Sequence, residues 1–177
     1  MCAPWHLLKR LFAAKNKTEF DVTATADQIL ARLSPDPQND AVLQTSFTHQ
    51  DLPVALRIDP DGGEMTEVLN IARELLQSIE DVQMRMLATA SDGLLQSYNE
   101  TWRCYSEQQA DGSLHDVSNP VLTAQQFEAK LSLHTISLAG ETLEFYYADA
   151  DLFAGHQICV TAFDGLGLTR THVELIG

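Results

Sequence analysis

Ser132-Leu133-His134-Thr135-Ile136-Ser137-Leu138-Ala139-Gly140-Glu141-Thr142-Leu143-Glu144-Phe145-Tyr146-Tyr147 decides the fold class. It reads as two short strands, Ser132 to Leu138 and Leu143 to Tyr147, about an Ala139-Gly140 hairpin turn. Leu143, Phe145 and Tyr147 point the same way, the period-two mark of a half-buried strand. Two more strands follow, His156 to Phe163 and Thr169 to Leu175, joined by the Asp164-Gly165-Leu166-Gly167 turn. The late part of the chain is therefore a four-strand meander.

Upstream, Val42 to His49 and Pro53 to Ile58 read as a hairpin about Gln50-Asp51-Leu52. Pro53 lacks an N–H and so begins its strand or lies at an edge. Asp59-Pro60-Asp61-Gly62-Gly63 is a turn. Val68, Ala72, Leu75, Ile79, Val82 and Met86 then recur at helical spacing. The expectation is two consecutive helices, Glu64 to Ile79 and Asp81 to Tyr105, with a capping box from Ser78 to Asp81. Asp92-Gly93 weakens the second, because glycine costs about 1 kcal/mol inside a helix. Ser106 to Pro120 is polar and reads as a loop. Thr123 caps a short helix to Leu131 with Phe127 inward. Helices grouped centrally and strands grouped late predict an α+β fold, with the helices packed on an antiparallel sheet built from the early hairpin and the meander.

The first 40 residues read differently. Thr25 can cap a helix from Ala26 to Leu33, and the two prolines of Ser34-Pro35-Asp36-Pro37-Gln38-Asn39-Asp40 read as a linker or long turn. The expected organisation is an extension over residues 1–40 and one domain over 41–177. Within the extension, residues 1–17 hold Lys9, Arg10, Lys15 and Lys17 and no acid. Trp5, Leu8, Leu11 and Phe12 fall near one helical face. The charges interleave with and follow the apolar residues, which is not the order of a secretory signal. A helix there would dock on its own domain or a partner, or would rest weakly on a membrane surface.

The composition excludes several classes. The chain has 177 residues, 45% of them hydrophobic, ample for a core. The net charge is −14, and residues 1–17 hold four cations, so the remainder carries 7 basic against 25 acidic residues, −18. An acidic surface argues against nucleic acid, whose phosphates need Lys and Arg. Cys2, Cys104 and Cys159 are three, widely spaced and without a C-x-x-C pair, so neither a disulfide framework nor a thiolate zinc site is indicated. Cys159, in Ile158-Cys159-Val160, reads as a small buried apolar residue. Reduced thiols and the lack of an ~18-residue apolar run point to a cytoplasmic protein.

No phosphate-cradling, nucleophile-elbow or zincin motif is present. No catalytic residue and no cofactor is expected, and an enzyme is the less favoured reading. The densest polar cluster is Tyr146-Tyr147-Ala148-Asp149-Ala150-Asp151-Leu152-Phe153-Ala154-Gly155-His156. Two readings stand side by side. Asp149, Asp151 and His156 could be metal ligands, for binding alone or for metal-assisted hydrolysis. Alternatively the aspartates cap turns, Gly155 supplies a positive φ, Phe153 plugs the core and His156 hydrogen-bonds locally. His134 and His172, in strands, are expected to face solvent. In Tyr98-Asn99-Glu100-Thr101-Trp102, Trp102 reads as a core anchor and Asn99 as a side chain that caps backbone, with ligand binding by Tyr98, Asn99 and Trp102 the sharper alternative.

Two stretches together carry a resemblance. They are Leu94-Leu95-Gln96-Ser97-Tyr98-Asn99-Glu100-Thr101-Trp102 and the run from Phe145 to His156, followed by the closing Val173-Glu174-Leu175-Ile176-Gly177. The chain resembles a family of bacterial domains of unknown function. Its members have a Leu-x-x-x-Tyr-Asn-x-x-Trp helix, a helix with an inward Phe, an Asp-x-Asp-Leu-Phe-x-Gly-His turn and a last strand ending on Gly. The likeness covers Val42 to Gly177 and departs where such families usually have Gly, at Ala150, and an aromatic residue, at Ala154. It implies a small cytoplasmic bacterial α+β domain and no catalytic residue. Small acidic domains also occur as immunity proteins beside polymorphic toxins, a likeness of size and charge. The expected function is therefore a non-enzymatic protein-interaction module with a basic protein partner.

Overall fold

The computed structural model describes residues 24–177. Trp5, Leu8, Leu11 and Phe12, and with them the partner-face and membrane readings, lie outside the described residues.

Thr25 caps α1 (Ala26–Leu30) as expected: its hydroxyl accepts from Gln28 N while the Gln28 side chain accepts from Thr25 N. The helix is short, but Ile29 is buried in the core. The Ser34–Asp40 run, expected as a linker or long turn, holds a tight turn at Pro37 and Gln38 between an edge strand, β1 (Ser34–Asp36), and the start of β2 (Asn39–His49). Residues upstream of Asp40 thus supply a core side chain and a strand. Pro35 is tolerated there because an edge strand has one unpaired side, and Pro37 sits in the turn. β2 turns into β3 (Leu52–Asp59) through Gln50 and Asp51, both left-handed at φ 49° and 63°. Two positive-φ residues form the turn whose twist matches that of paired strands.

The helical spacing yields α2 (Met65–Gln77) and α3 (Ile79–Ser97). Ser78 does not cap α3 as a capping box would. Its hydroxyl donates to Glu74 O at 2.8 Å, back into α2. Gly93 does not interrupt α3. A Cβ at Gly93 would lie 2.2 Å from Val173 Cγ1, so the missing side chain lets α3 approach the sheet closely. α3 ends in a wide π-helical turn, Tyr98–Trp102. The segment expected as a loop then forms a second, two-stranded sheet, β4 (Cys104–Gln108) with β5 (Leu114–Ser118). Its side chains are almost all exposed, so no apolar alternation announces it. α4 (Ala124–Glu128) repeats the α1 capping box with Thr123 and Gln126, and Phe127 is fully buried.

The meander is β6 (Ser132–Ala139), β7 (Thr142–Ala148), β8 (Gln157–Ala162) and β9 (Thr171–Ile176). The large sheet runs β1-β2-β3-β6-β7-β8-β9. The fold is α+β, and the hairpin and meander are present. The sheet is mixed rather than wholly antiparallel, because β3 and β6 pair in parallel. That pairing requires a crossover, which carries α2, α3, the small hairpin and α4.

One face of the sheet meets the helices. Leu56, Ile58, Ile136, Leu138, Leu143, Phe145, Tyr147, Ile158 and Val160 are fully buried there against Ala72, Leu75, Met86 and Ala90. Burying each large side chain stabilises by about 1.5–3 kcal/mol. His49 and Gln83 close one end of the core with a buried side-chain hydrogen bond. His172 is exposed as expected, but His134 is half-buried beside Tyr146, its Nδ1 paired with Thr135 Oγ1 at 2.9 Å. Burial lowers its pKa. Cys159 is buried as read from its strand, and burial raises its thiol pKa.

Tyr147 supplies a direct test of the packing. Its hydroxyl is buried with no hydrogen-bond partner among the described residues, and burial pushes the phenol far above its usual range. An unsatisfied buried hydroxyl costs about 1–3 kcal/mol. Tyr147→Phe is expected to stabilise by about 1 kcal/mol, raising Tm by roughly 2–4 °C. A lowered Tm on calorimetry would show that the hydroxyl has a partner.

Candidate functional site

The two stretches that carry the resemblance meet in space, and Asp149 explains how the second is shaped. Its carboxylate is 5% exposed and accepts from Asp151 N at 3.1 Å and from Phe153 N at 2.7 Å. The Asp149 carbonyl also accepts from Leu152 N, and the Phe153 carbonyl from His156 N. These bonds hold a tight turn in which Ala150, Asp151, Ala154 and Gly155 have φ of 50°, 64°, 54° and 91°. Only glycine takes such angles without steric cost, so the side-chain bonds of Asp149 hold a backbone that the sequence resists. Asp149→Ala removes both charge-assisted acceptors. It is expected to destabilise by about 2–3 kcal/mol, with Asp149→Asn losing less, on urea unfolding. A change within the error of wild type would show that the turn stands without the carboxylate.

The metal-ligand reading of Asp149, Asp151 and His156 does not match this geometry. Asp149 is engaged with backbone, Asp151 is exposed, and His156 packs edge-on against Trp102 with ring centroids 5.8 Å apart. Among the described residues no three His, Cys, Asp or Glu side chains are placed to hold a metal ion. His156 Nδ1 is buried and has no partner among the described residues, so the expected local hydrogen bond of that ring is absent there.

Phe153 is fully buried and forms the hub. Its ring meets Trp102 at 5.5 Å, Tyr98 at 6.1 Å and Phe127 at 6.1 Å, all edge-to-face. Such pairs add about 0.5–1.5 kcal/mol each beyond area burial. Gly177 lies against His156, so the closing strand of the resemblance ends at the same place. Tyr98 and Phe153 are core residues, and Trp102 is half-buried with one side toward the core.

Asn99 does cap backbone, though not within its own helix. Its Nδ2 donates to Leu122 O at 2.9 Å and its Oδ1 accepts from Leu122 N at 2.8 Å. This two-bond pairing imitates a neighbouring strand and ties the π turn to the approach of α4. Arg103 completes the joint, donating to Asn99 O, to Ser118 Oγ and to Asn119 O. The small hairpin is thereby fixed at its root.

A cleft of ≈ 580 Å³ opens where these parts meet. Thr101 and Trp102 come from the π turn, Cys104, Tyr105 and Glu107 from β4, and Asp151, Leu152 and Ala154 from the Asp149–His156 turn. The sequence singles out residues of the first and third walls but not of the second, because its helical spacing runs on to Tyr105. The available signal was Asp111-Gly112, where Asp111 accepts from Ser113 N and Oγ and Gly112 takes φ 83°. Glu107 and Asp151 form no ion pair among the described residues, whose salt bridges are Arg57–Asp36 and Arg73–Asp27. Cys104 is an exposed free thiol within hydrogen-bonding reach of Ser118. Among the described residues no helix is long and apolar enough to cross a membrane.

The family model described as "Uncharacterized protein conserved in bacteria (DUF2262)" matches residues 27–172. No curated protein and no solved structure matches the chain. The chain belongs to this bacterial family, and the matched segment includes every element that builds the cleft.

Proposed function

We propose that this family member is a non-enzymatic protein-interaction module that engages a basic partner through the cleft between the π turn, β4 and the Asp149–His156 turn. One observation carries the reading. Two polar side chains hold the walls of the cleft in place, and others are left to line it. Asp149 and Asn99 bind backbone, while Trp102, Tyr105, Glu107 and Asp151 line the opening. Aromatic side chains around a concave surface are typical anchors for a partner. The acidic balance of the chain, −14 overall, would speed encounter with a basic protein and make it salt-sensitive. A cytoplasmic setting fits such a partnership, and a toxin countered by an immunity-like domain is one partner of suitable charge.

The test is affinity capture from the native host's lysate with full-length protein, at low and moderate salt. A stoichiometric partner that is basic and released by salt is the expected result. A partner retained equally at both salts would remove the charge argument, and no partner under either condition would remove the module reading.

A further inference from the structure

We propose that the cleft receives an arginine side chain of the partner, its guanidinium toward Glu107 and Asp151 and its methylene stem against Trp102 and Tyr105. This deepens the module reading and rests on it. The lining combines two aromatic rings with two carboxylates that have no ion-pair partner among the described residues. That pairing suits a ligand that is apolar along its length and cationic at its tip. A phosphate or carboxylate would meet two like charges. A wholly apolar group would strip water from the carboxylates with nothing in return. Arginine fits better than lysine because its planar, weakly hydrated guanidinium stacks on aromatic faces and binds carboxylates in a fork. The chain's own nearby guanidinium, Arg103, is held by Asn99, Ser118 and Asn119 at the hairpin root, outside the cleft lining. A volume of ≈ 580 Å³ takes one long side chain together with part of the backbone that bears it.

The test uses full-length, nitrogen-15-labelled protein titrated with N-acetyl-arginine amide, followed by nuclear magnetic resonance. The Trp102 indole N–H, assigned by its loss in Trp102→Phe, and the amides of residues 104–107 and 150–154 are the reporters. Saturable shifts at these positions are expected, with a dissociation constant of order millimolar, as one side chain provides. The uncharged isostere N-acetyl-citrulline amide is expected to bind about tenfold more weakly, as is arginine amide to the Glu107→Gln/Asp151→Asn variant. Both substitutions lie at exposed positions, and asparagine accepts the left-handed backbone of Asp151. Absent or non-saturable shifts, equal binding of citrulline amide, or shifts confined to another surface would overturn the proposal. Failure here with salt-sensitive partner capture intact would sink the arginine assignment alone. Arginine binding with no partner in any lysate would instead sink the module reading.

Discussion

Phe153→Ala is expected to destabilise the protein by about 3–5 kcal/mol, the range for truncating a fully buried aromatic residue. The ring touches Tyr98 and Trp102, the two ends of the π turn, and Phe127 of α4. Its loss leaves a cavity bounded by rigid rings, which relax poorly. The effect should also reach the cleft, because Trp102 packs on Phe153 and forms a wall of the cleft. Urea unfolding measures the first effect, and the environment of the Trp102 indole, followed by fluorescence in a Trp5→Phe background, measures the second. A loss below about 1 kcal/mol would mean that Phe153 does not hold the π turn and the Asp149–His156 turn together.

Gly93→Ala is expected to destabilise by about 2–3 kcal/mol, against the sign of helix propensity. Alanine in place of glycine inside a helix favours folding by about 1 kcal/mol when nothing else changes. Here the new Cβ would lie 2.2 Å from Val173 Cγ1 and 3.6 Å from Val173 Cβ. Valine is stiff at χ1 and its strand is paired with β8, so the methyl cannot swing away. Overpacking of this kind typically costs about 1–3 kcal/mol. Adding Val173→Ala should recover most of the loss, giving a coupling of more than about 1 kcal/mol in a double-mutant cycle. Additive effects would show that α3 and β9 are not in contact at this point.

Gly93 also shows where sequence reading reaches its end. A glycine within a helical pattern looks like a weak point, because its contact lies on a strand 80 residues later. The α+β class was legible because β3, β6 and β7 bury alternate residues, and α1 and α4 begin at the caps Thr25 and Thr123. The parallel pairing of β3 with β6 was not legible, since it joins strands separated by the whole helical crossover. The β4–β5 hairpin left no alternation because both of its faces meet solvent, and with it went Tyr105 and Glu107 of the candidate site. Tyr98, Asn99, Trp102 and the Asp149–His156 turn were singled out from sequence, but their division of labour was not. Asp149 binds backbone while Asp151, two residues on, lines the cleft, a difference set by the local turn and not by residue type.

The cleft is the proposed docking surface for a basic partner. The most direct measurement is quantitative capture of the salt-sensitive partner by wild type and by Tyr105→Ser/Glu107→Lys, with folding of both verified by circular dichroism. Tyr105 and Glu107 are exposed, so the variant should fold as wild type does. At least a tenfold loss of affinity is predicted, as expected when an aromatic anchor is removed and a rim charge reversed. Undiminished capture by the folded variant would contradict the account and place the docking surface elsewhere on the chain.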